Sequence, residues 1–406
     1  MADVMAEFFD GPHATPRAAE SGPVYLGIKN ITDDGFLDLS NVRHIAESDW
    51  PKWTKRVTPA IDDVVFTYEA TLHRYALIPE GFVGCLGRRI ALVRPDQTKV
   101  VPKFLHQYML GPEWRSTVES RVISGATVDR IPLNTFEDFP IWLPPLEHQQ
   151  RVVDVLGAIE DLIENNRRRI EVLEEMAQAI YREWFVHFRF PGHESTTFKD
   201  SSVGRIPEDW DVFAFSDVAT FTNGFAFKPS HFAGSGWPVI KIKEMNQGVR
   251  PDTPRADPAD IKEKYWLATG DLLFSWSANL VVLRWAGGEA LLNQHLFKVE
   301  PLKEVPMVFL QHALHSAIPQ FWARAQGTTM KHIKRSALTE VQTILPNQAL
   351  MAEFETVAGP IVRLSMDVIA QNSVLAEMRD RLLPKLVTGE IDVSELNLDE
   401  LLGSAS

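Results

Sequence analysis

The sequence predicts an α+β protein: two tandem mixed α/β domains separated by two long helices that form an antiparallel intramolecular coiled coil, with pseudo-two-fold symmetry. Three observations carry that expectation. The stretch "GATVDRIPLNTFEDFPIWLPPLEHQQ" from Gly125 returns as "GTTMKHIKRSALTEVQTILPNQALMAEF" from Gly327, and one shift of 202 pairs Gly125 with Gly327, Thr127 with Thr329, Ile131 with Ile333, and Leu143 and Pro144 with Leu345 and Pro346. After each Leu-Pro the apolar period changes to an alternation of four and three residues. Before it, short runs rich in Val, Ile, Phe and Tyr are bounded by Gly, Pro and Asp, which is the pattern of strands. A repeat of about 200 residues is far longer than the 20 to 50 of a solenoid, so each copy is expected to have its own core.

The first domain spans 1–143. Its strands are read at "VYLGI", "DVVFTY" and "RIALV", followed by a helical stretch opening at Pro102, the Gly-x-Thr turn and one last strand. Residues 144–190 form the first long helix, with a heptad seam of Val152, Leu156, Ile159, Ile163, Ile170 and Leu173, continuing to Ala177 and beyond; Asn166 fills the one polar slot. Such a seam wants a partner, and a single Asn within it sets register at a cost in stability. The second domain, 191–345, repeats the first with "VIKIK", "DLLFSW" and "LFKV" and a helix opening near Pro306. The second long helix, 346–391, offers Phe354, Ala358, Ile361, Val368, Leu375 and Leu382, interrupted by Ser365 and Arg379; Pro360 is expected to kink it or delay its start. Residues 392–406 are an acidic tail. If the two seams pack antiparallel, a domain precedes each helix and the two domains sit at opposite ends of the pair.

Charge and composition narrow the function. The net charge of -13 is unevenly spread: residues 191–345 carry 16 basic and 16 acidic groups, whereas 346–406 carry 4 and 10. A polyanion-binding face on the large domains is therefore permitted. The lone Cys85 makes no intramolecular disulfide, and with no apolar run of about 18 residues a soluble cytoplasmic protein without membrane contact is expected.

No phosphate loop, Gly-x-Gly-x-x-Gly, Asn/Asp-Pro-Pro-Tyr/Phe or Gly-x-Ser-x-Gly motif is found, so no catalytic residue, metal ligand or cofactor is assigned to this chain. Asp252, Asp260 and Lys262 imitate a metal-dependent nuclease, but prolines at 251, 254 and 258 make that stretch a loop, and two metals need a rigid support. His13 and His187 lack companion ligands. The basic residues say more. Lys331, Lys334 and Arg335 adjoin the second Gly-x-Thr turn, Arg88 and Arg89 open a first-copy strand, and Arg74 and Arg284 follow "DVVFTY" and "DLLFSW". With Lys228 they are the DNA-binding candidates, for phosphate contact and for Arg readout of guanine.

The order of domain, "LPPLEHQQRVVDVLGAIEDLIENNRRRIEVLEEM", "WFVHFRFPG", second domain and terminal "LVTGEI" resembles the specificity (S, or HsdS) subunit of type I restriction-modification systems, over essentially the whole chain. The resemblance implies a non-catalytic adaptor. Two target recognition domains would each read half of a split double-stranded DNA site, with the helices as a ruler for the spacer. Two methyltransferase (M) subunits would dock on helices and domains, with Trp184, Phe185 and Phe188 as docking candidates, and motor-nuclease (R) subunits would join through them. S-adenosylmethionine, ATP and Mg would belong to those partners. A protein-binding scaffold gripping a symmetric partner, or an adaptor for a methyltransferase without restriction, are the alternatives.

Overall fold

The computed structural model describes residues 1–125, 128–250, 252–302, 304–326, 332–391 and 393. Two compact units divide the chain, the first built from two separate segments and the second from one. The first takes Met1–Asp161 together with the described residues from Ala376 onward; the second takes Leu162–Leu375.

The first unit contains β1 (Met5–Asp10), β2 (Ala19–Leu26), β3 (Arg43–His44), β4 (Val64–Thr67), β5 (Tyr75–Leu77), β6 (Gly84–Leu86) and β7 (Ile90–Pro95). They form an antiparallel sheet ordered β1-β7-β4-β5 and a smaller one ordered β3-β2-β6, in which β2 and β6 run parallel. In the second unit the strands are β8 (Phe198–Ser201), β9 (Gly204–Pro207), β10 (Asp211–Ala214), β11 (Ala219–Asn223), β12 (Trp237–Ile240), β13 (Arg255–Ala256), β14 (Trp266–Leu267), β15 (Leu272–Ser275), β16 (Val282–Arg284), β17 (Ala290–Leu292), β18 (Leu296–Pro301) and β19 (Gln342–Leu345). The sheet β11-β18-β15-β16 repeats the first unit's main sheet. The sheet β13-β12-β17-β14 repeats the smaller one, with β12 parallel to β17, and adds a strand. The repetition in the sequence is thus a repetition of topology.

Each main sheet is covered on both faces, which is why its strands read as unbroken apolar runs rather than as alternations. In β4, Val64 and Phe66 face a cluster with Phe104, Trp114 and Phe136, while Val65 joins Leu86 and Leu92 on the other side. In β15, Leu272 and Phe274 pack on Phe309 and Phe321, while Leu273 meets Ile240 and Leu292. The helical stretch of the first copy breaks in two at Gly111, giving Pro102–Leu110 and Pro112–Glu119; its counterpart Met307–Trp322 is continuous.

One expected strand is missing. In the second unit β19 pairs with β10, but Ile141–Pro144 of the first has no strand beside it among the described residues and stays irregular, with the Trp142 N–H donating to the Tyr108 hydroxyl at 3.3 Å. An extended segment without a ladder partner is not a strand.

The long helices are Leu146–Tyr181, ending in a π-helical turn at Arg182–Val186, and Gln348–Val387. The second starts at Gln348 without delay and stays helical through Pro360. Proline inside a helix costs about 3 kcal/mol. Burial of Phe354, Ala358 and Val362 on either side outweighs it, with about 1.5–3 kcal/mol for each large apolar side chain, while Pro360 itself faces solvent.

Along the first seam Val152, Leu156, Ile159, Ile163 and Asn166 are buried, and Ile170 and Leu173 half-buried. On the second, Val368 and Leu375 are buried, Ile361 and Leu382 half-buried, and Ser365, Asn372 and Arg379 occupy the polar slots. Within the second unit the helices run antiparallel: the Asn372 Nδ2 donates to the Ile163 carbonyl at 3.2 Å, while further along the first helix Tyr181 meets the earlier residue Phe354, ring centroids 6.0 Å apart. Within the first unit Val152 and Leu156 share a core with Leu382, Leu386 and Val387, again an early segment of one helix against a late segment of the other.

Candidate nucleic-acid interface

The ladders place one end of each main sheet under a set of polar side chains. In the first unit β1 ends at Asp10, β4 runs into Tyr68 and Glu69, and Arg88 and Arg89 lead into β7. The Tyr68 N–H donates to the Arg89 carbonyl at 3.1 Å, Glu69 forms a β-bridge with Arg130, and the Arg89 Nε lies 2.9 Å from the Glu69 carboxylate without the alignment of a hydrogen bond. Asp10 is paired with Arg56 and, at 3.1 Å, with His13. Burial pushes the Tyr68 phenol upward, and Asp10 and Glu69 nearby add to the rise while Arg88 and Arg89 oppose it. The phenol therefore stays protonated and neutral.

The second unit builds the same end from other groups. Asn223 closes β11, Trp276 and Ser277 follow β15, and Gln294 and His295 precede β18. The Trp276 N–H donates to the His295 carbonyl at 3.3 Å, Ser277 bridges to His332, and the Ser277 hydroxyl lies 3.2 Å from the His295 Nδ1. The Trp276 indole N–H, at 3.0 Å from both, is shared by the Asn223 side-chain oxygen and the Gln294 carbonyl.

Of the basic candidates, Arg88 and Arg89 belong to this cluster, and Lys334 and Arg335 are exposed just beyond His332. Lys228 is exposed on the loop after β11; Lys331 lies outside the described residues. Two candidates are engaged within the chain. Arg74 is committed to Asp33 at 2.7 Å and to the Ile28 and Ile31 carbonyls, so it staples a loop. Arg284 lies half-buried in β16, its Nε donating to the Gly270 carbonyl at 2.7 Å, and desolvation lowers its pKa. Each guanidinium thus spends part of its donor set within the chain.

The docking candidates pack inside the second unit. Phe185 is only 4% exposed and sits among Phe309, Phe354 and Trp210, while Trp184 packs on Phe354 and Phe188 on Trp210. They fasten the first long helix to the second unit's own core. His187 lies on the π-helical turn and Asp252 in an exposed ion pair with Lys243 at 2.7 Å. Among the described residues no group of three or more His, Cys, Asp or Glu is placed to hold a metal, and no helix is long and apolar enough to cross a membrane.

A duplicated α+β unit with a polar cluster at each sheet end is the architecture in hand, and the comparisons give its class. The family model described as the type I restriction modification DNA specificity domain matches twice, at residues 26–175 and 207–354. The chain belongs to that family, a family of non-catalytic specificity subunits, and carries its domain in two copies. It is 25% identical over 73% of its length to the type I restriction enzyme MjaIX specificity subunit of Methanocaldococcus jannaschii, covering 71% of that protein. To the HindI specificity subunit of Haemophilus influenzae it is 21% identical, with 91% of this chain and 94% of that one covered. A solved type I restriction-modification S subunit from M. genitalium matches with a TM-score of 0.49 at 13% identity, over 95% of this chain and 94% of that one.

Proposed function

We propose that this chain is the DNA-reading subunit of a cytoplasmic type I restriction-modification complex, each copy of its domain reading one half of a split, asymmetric site on double-stranded DNA. The observation that carries this reading is duplication with divergence inside one chain. Two identical readers related by symmetry would select a palindrome, whereas two non-identical readers select unlike half-sites. Two methyltransferase subunits dock on the chain, and restriction subunits join through them; S-adenosylmethionine, ATP and Mg are theirs to hold. Support for paired docking lies on the long helices. Val172 and Met176 are exposed on the first, and Val374 and Met378, at the same places in the repeat, are exposed on the second. Two equal apolar pairs suit two copies of one partner better than Trp184, Phe185 and Phe188 do.

The test is a methylome of cells co-expressing the chain with its methyltransferase. A two-part motif with a fixed spacer is expected; the reading fails if the assembled complex modifies no such motif, or if its DNA affinity does not fall with salt. Inserting one heptad into both long helices keeps each seam in phase while adding about 10.5 Å of helix. At about 3.4 Å per base pair the spacer should lengthen by roughly one to three pairs, with both half-sites unchanged. An unaltered spacer would show that the helices do not measure distance.

A further inference from the structure

When the two units are aligned by their strand ladders, five positions coincide at the sheet end. Asp10 faces Ala91 across the ladder as Asn223 faces Phe297. Tyr68 and Trp276 make the same backbone bond to Arg89 and His295, and Glu69 and Ser277 make the same bridge to Arg130 and His332. The backbone is copied down to its strained residues: Ala70 (φ 72°) and Ala278 (φ 59°) both occupy the left-handed region that non-glycine residues rarely adopt. Gly11 and Gly224 both sit where a Cβ would lie 2.2 Å from a neighbouring carbonyl oxygen. One step inside the sheet, the buried Phe66 and Phe274 are identical.

At the five positions nothing is identical. Asp10 becomes Asn223, Tyr68 becomes Trp276, Glu69 becomes Ser277, Arg89 becomes His295 and Arg130 becomes His332. Unconstrained surface drift would not keep the side chains at two of these positions in mutual contact, as Glu69–Arg89 and Ser277–His295 are at 2.9 and 3.2 Å. Resting on the DNA-reading function above, we propose that these five positions form the specificity set of each copy. The side chains of Asp10, Glu69, Arg89 and Arg130, or of Asn223, His295 and His332, address base edges. Tyr68, Trp276 and the buried Ser277 position them. Arginine pairs in bidentate fashion with guanine and carboxylates accept from the cytosine amino group, so the first copy is built for G·C pairs. Amides pair with adenine, which suits Asn223 and its neighbour Gln294.

The experiment transplants one pair. The full chain carrying Ser277→Glu with His295→Arg is co-expressed with its methyltransferase and the methylome is read. The first half-site and the spacer should be unchanged, while the second half-site changes at one or more base pairs toward guanine, discrimination there shifting on the order of ten- to a hundredfold. An unchanged second half-site overturns the proposal. Should the double variant methylate nothing, Arg89→Lys and His295→Gln are each read by binding of the assembled complex to a duplex library. A change confined to the variant's own half-site supports the proposal, and unchanged motifs in both overturn it. Absence of any split motif with the unaltered chain instead defeats the DNA-reading function itself, so the two failures are distinguishable.

Discussion

The two long helices leave their units through joints of opposite chemistry. At the start of the first stands Gln149, fully buried: its Oε1 accepts from the Val101 N–H at 2.8 Å, and its Nε2 donates to the Lys99 and Pro144 carbonyls at 3.0 and 2.7 Å. At the same place in the repeat the second helix has Met351, packed in an apolar core, while Gln348 is exposed and bonded to Glu304 at 2.7 Å. The work is done there by Phe354, ringed by Tyr181, Trp184, Phe185, Phe309 and His312. Duplication preserved where the joint is, but not how it is made. One joint depends on the direction of three hydrogen bonds, the other on buried area.

That contrast can be broken most severely at the aromatic joint. Phe354→Ala removes the ring at its centre and should destabilise the second unit by about 3–5 kcal/mol, read as faster hydrogen exchange in β11, β15 and β18 with the first unit's sheet unaffected. Uniform acceleration throughout the chain would show that the joint is not local.

Acid should open the same joint next. Burial holds His312 down to about 4, with its Nδ1 2.8 Å from the Gln178 amide oxygen. An unfolded histidine takes up a proton near pH 6.5, which the fold refuses until about pH 4. The stability owed to the neutral ring is therefore complete above pH 6.5 and is lost as pH falls toward 4, about 3 kcal/mol in total. His312→Gln should flatten this slope in the second unit's unfolding; an unchanged slope would assign it to other groups, such as His315, whose pKa is also lowered, by desolvation and by the nearby Arg182.

The polar joint is sharpened by importing the other copy's residue. Gln149→Met leaves the Val101 N–H and two carbonyls without partners and should cost about 2 kcal/mol in the first unit, since one orphaned buried group costs about 1–3. A neutral result would mean that the hydrogen bonds are incidental. Smallest is Asn372→Leu in the second seam, where one 3.2 Å bond is exchanged for apolar contact; a change of less than about 1 kcal/mol in either direction is expected from denaturant unfolding.

Much of this architecture was legible in the sequence, because period and repetition are direct consequences of burial. The seams at Val152–Leu173 and Ile361–Leu382, the runs "DVVFTY" and "DLLFSW", and the antiparallel helix pairing follow from which side chains must leave water. What escaped depends on partners far away in the chain. Arg74 and Arg284 look like free cations until Asp33 and the Gly270 carbonyl are placed beside them. Trp184 and Phe185 look like an exposed sticky end until Phe309 and Phe354 arrive. The sheet-end cluster escaped because searching for positive charge passes over Asp10, Glu69, Ser277 and Asn223. A signal was present all the same: the offset that pairs Asp62 with Gly270 also pairs Tyr68 with Trp276 and Glu69 with Ser277, and the shift of 202 pairs Arg130 with His332.

The first unit closes its core with Leu386, Val387 and Val393, whereas the second is built entirely from Leu162–Leu375. On the ribosome the order of completion is therefore the reverse of the order of synthesis. The second unit has all its residues while the first still waits, its Val152, Val153 and Leu156 uncovered, for the closing segment to emerge. Domains that finish as they are made shield their apolar faces early; this chain defers that protection for its leading half until nearly the last turn of its final helix. The nascent first unit thus stays an open face while the whole second unit is synthesised, the interval in which a chaperone would have the most to hold.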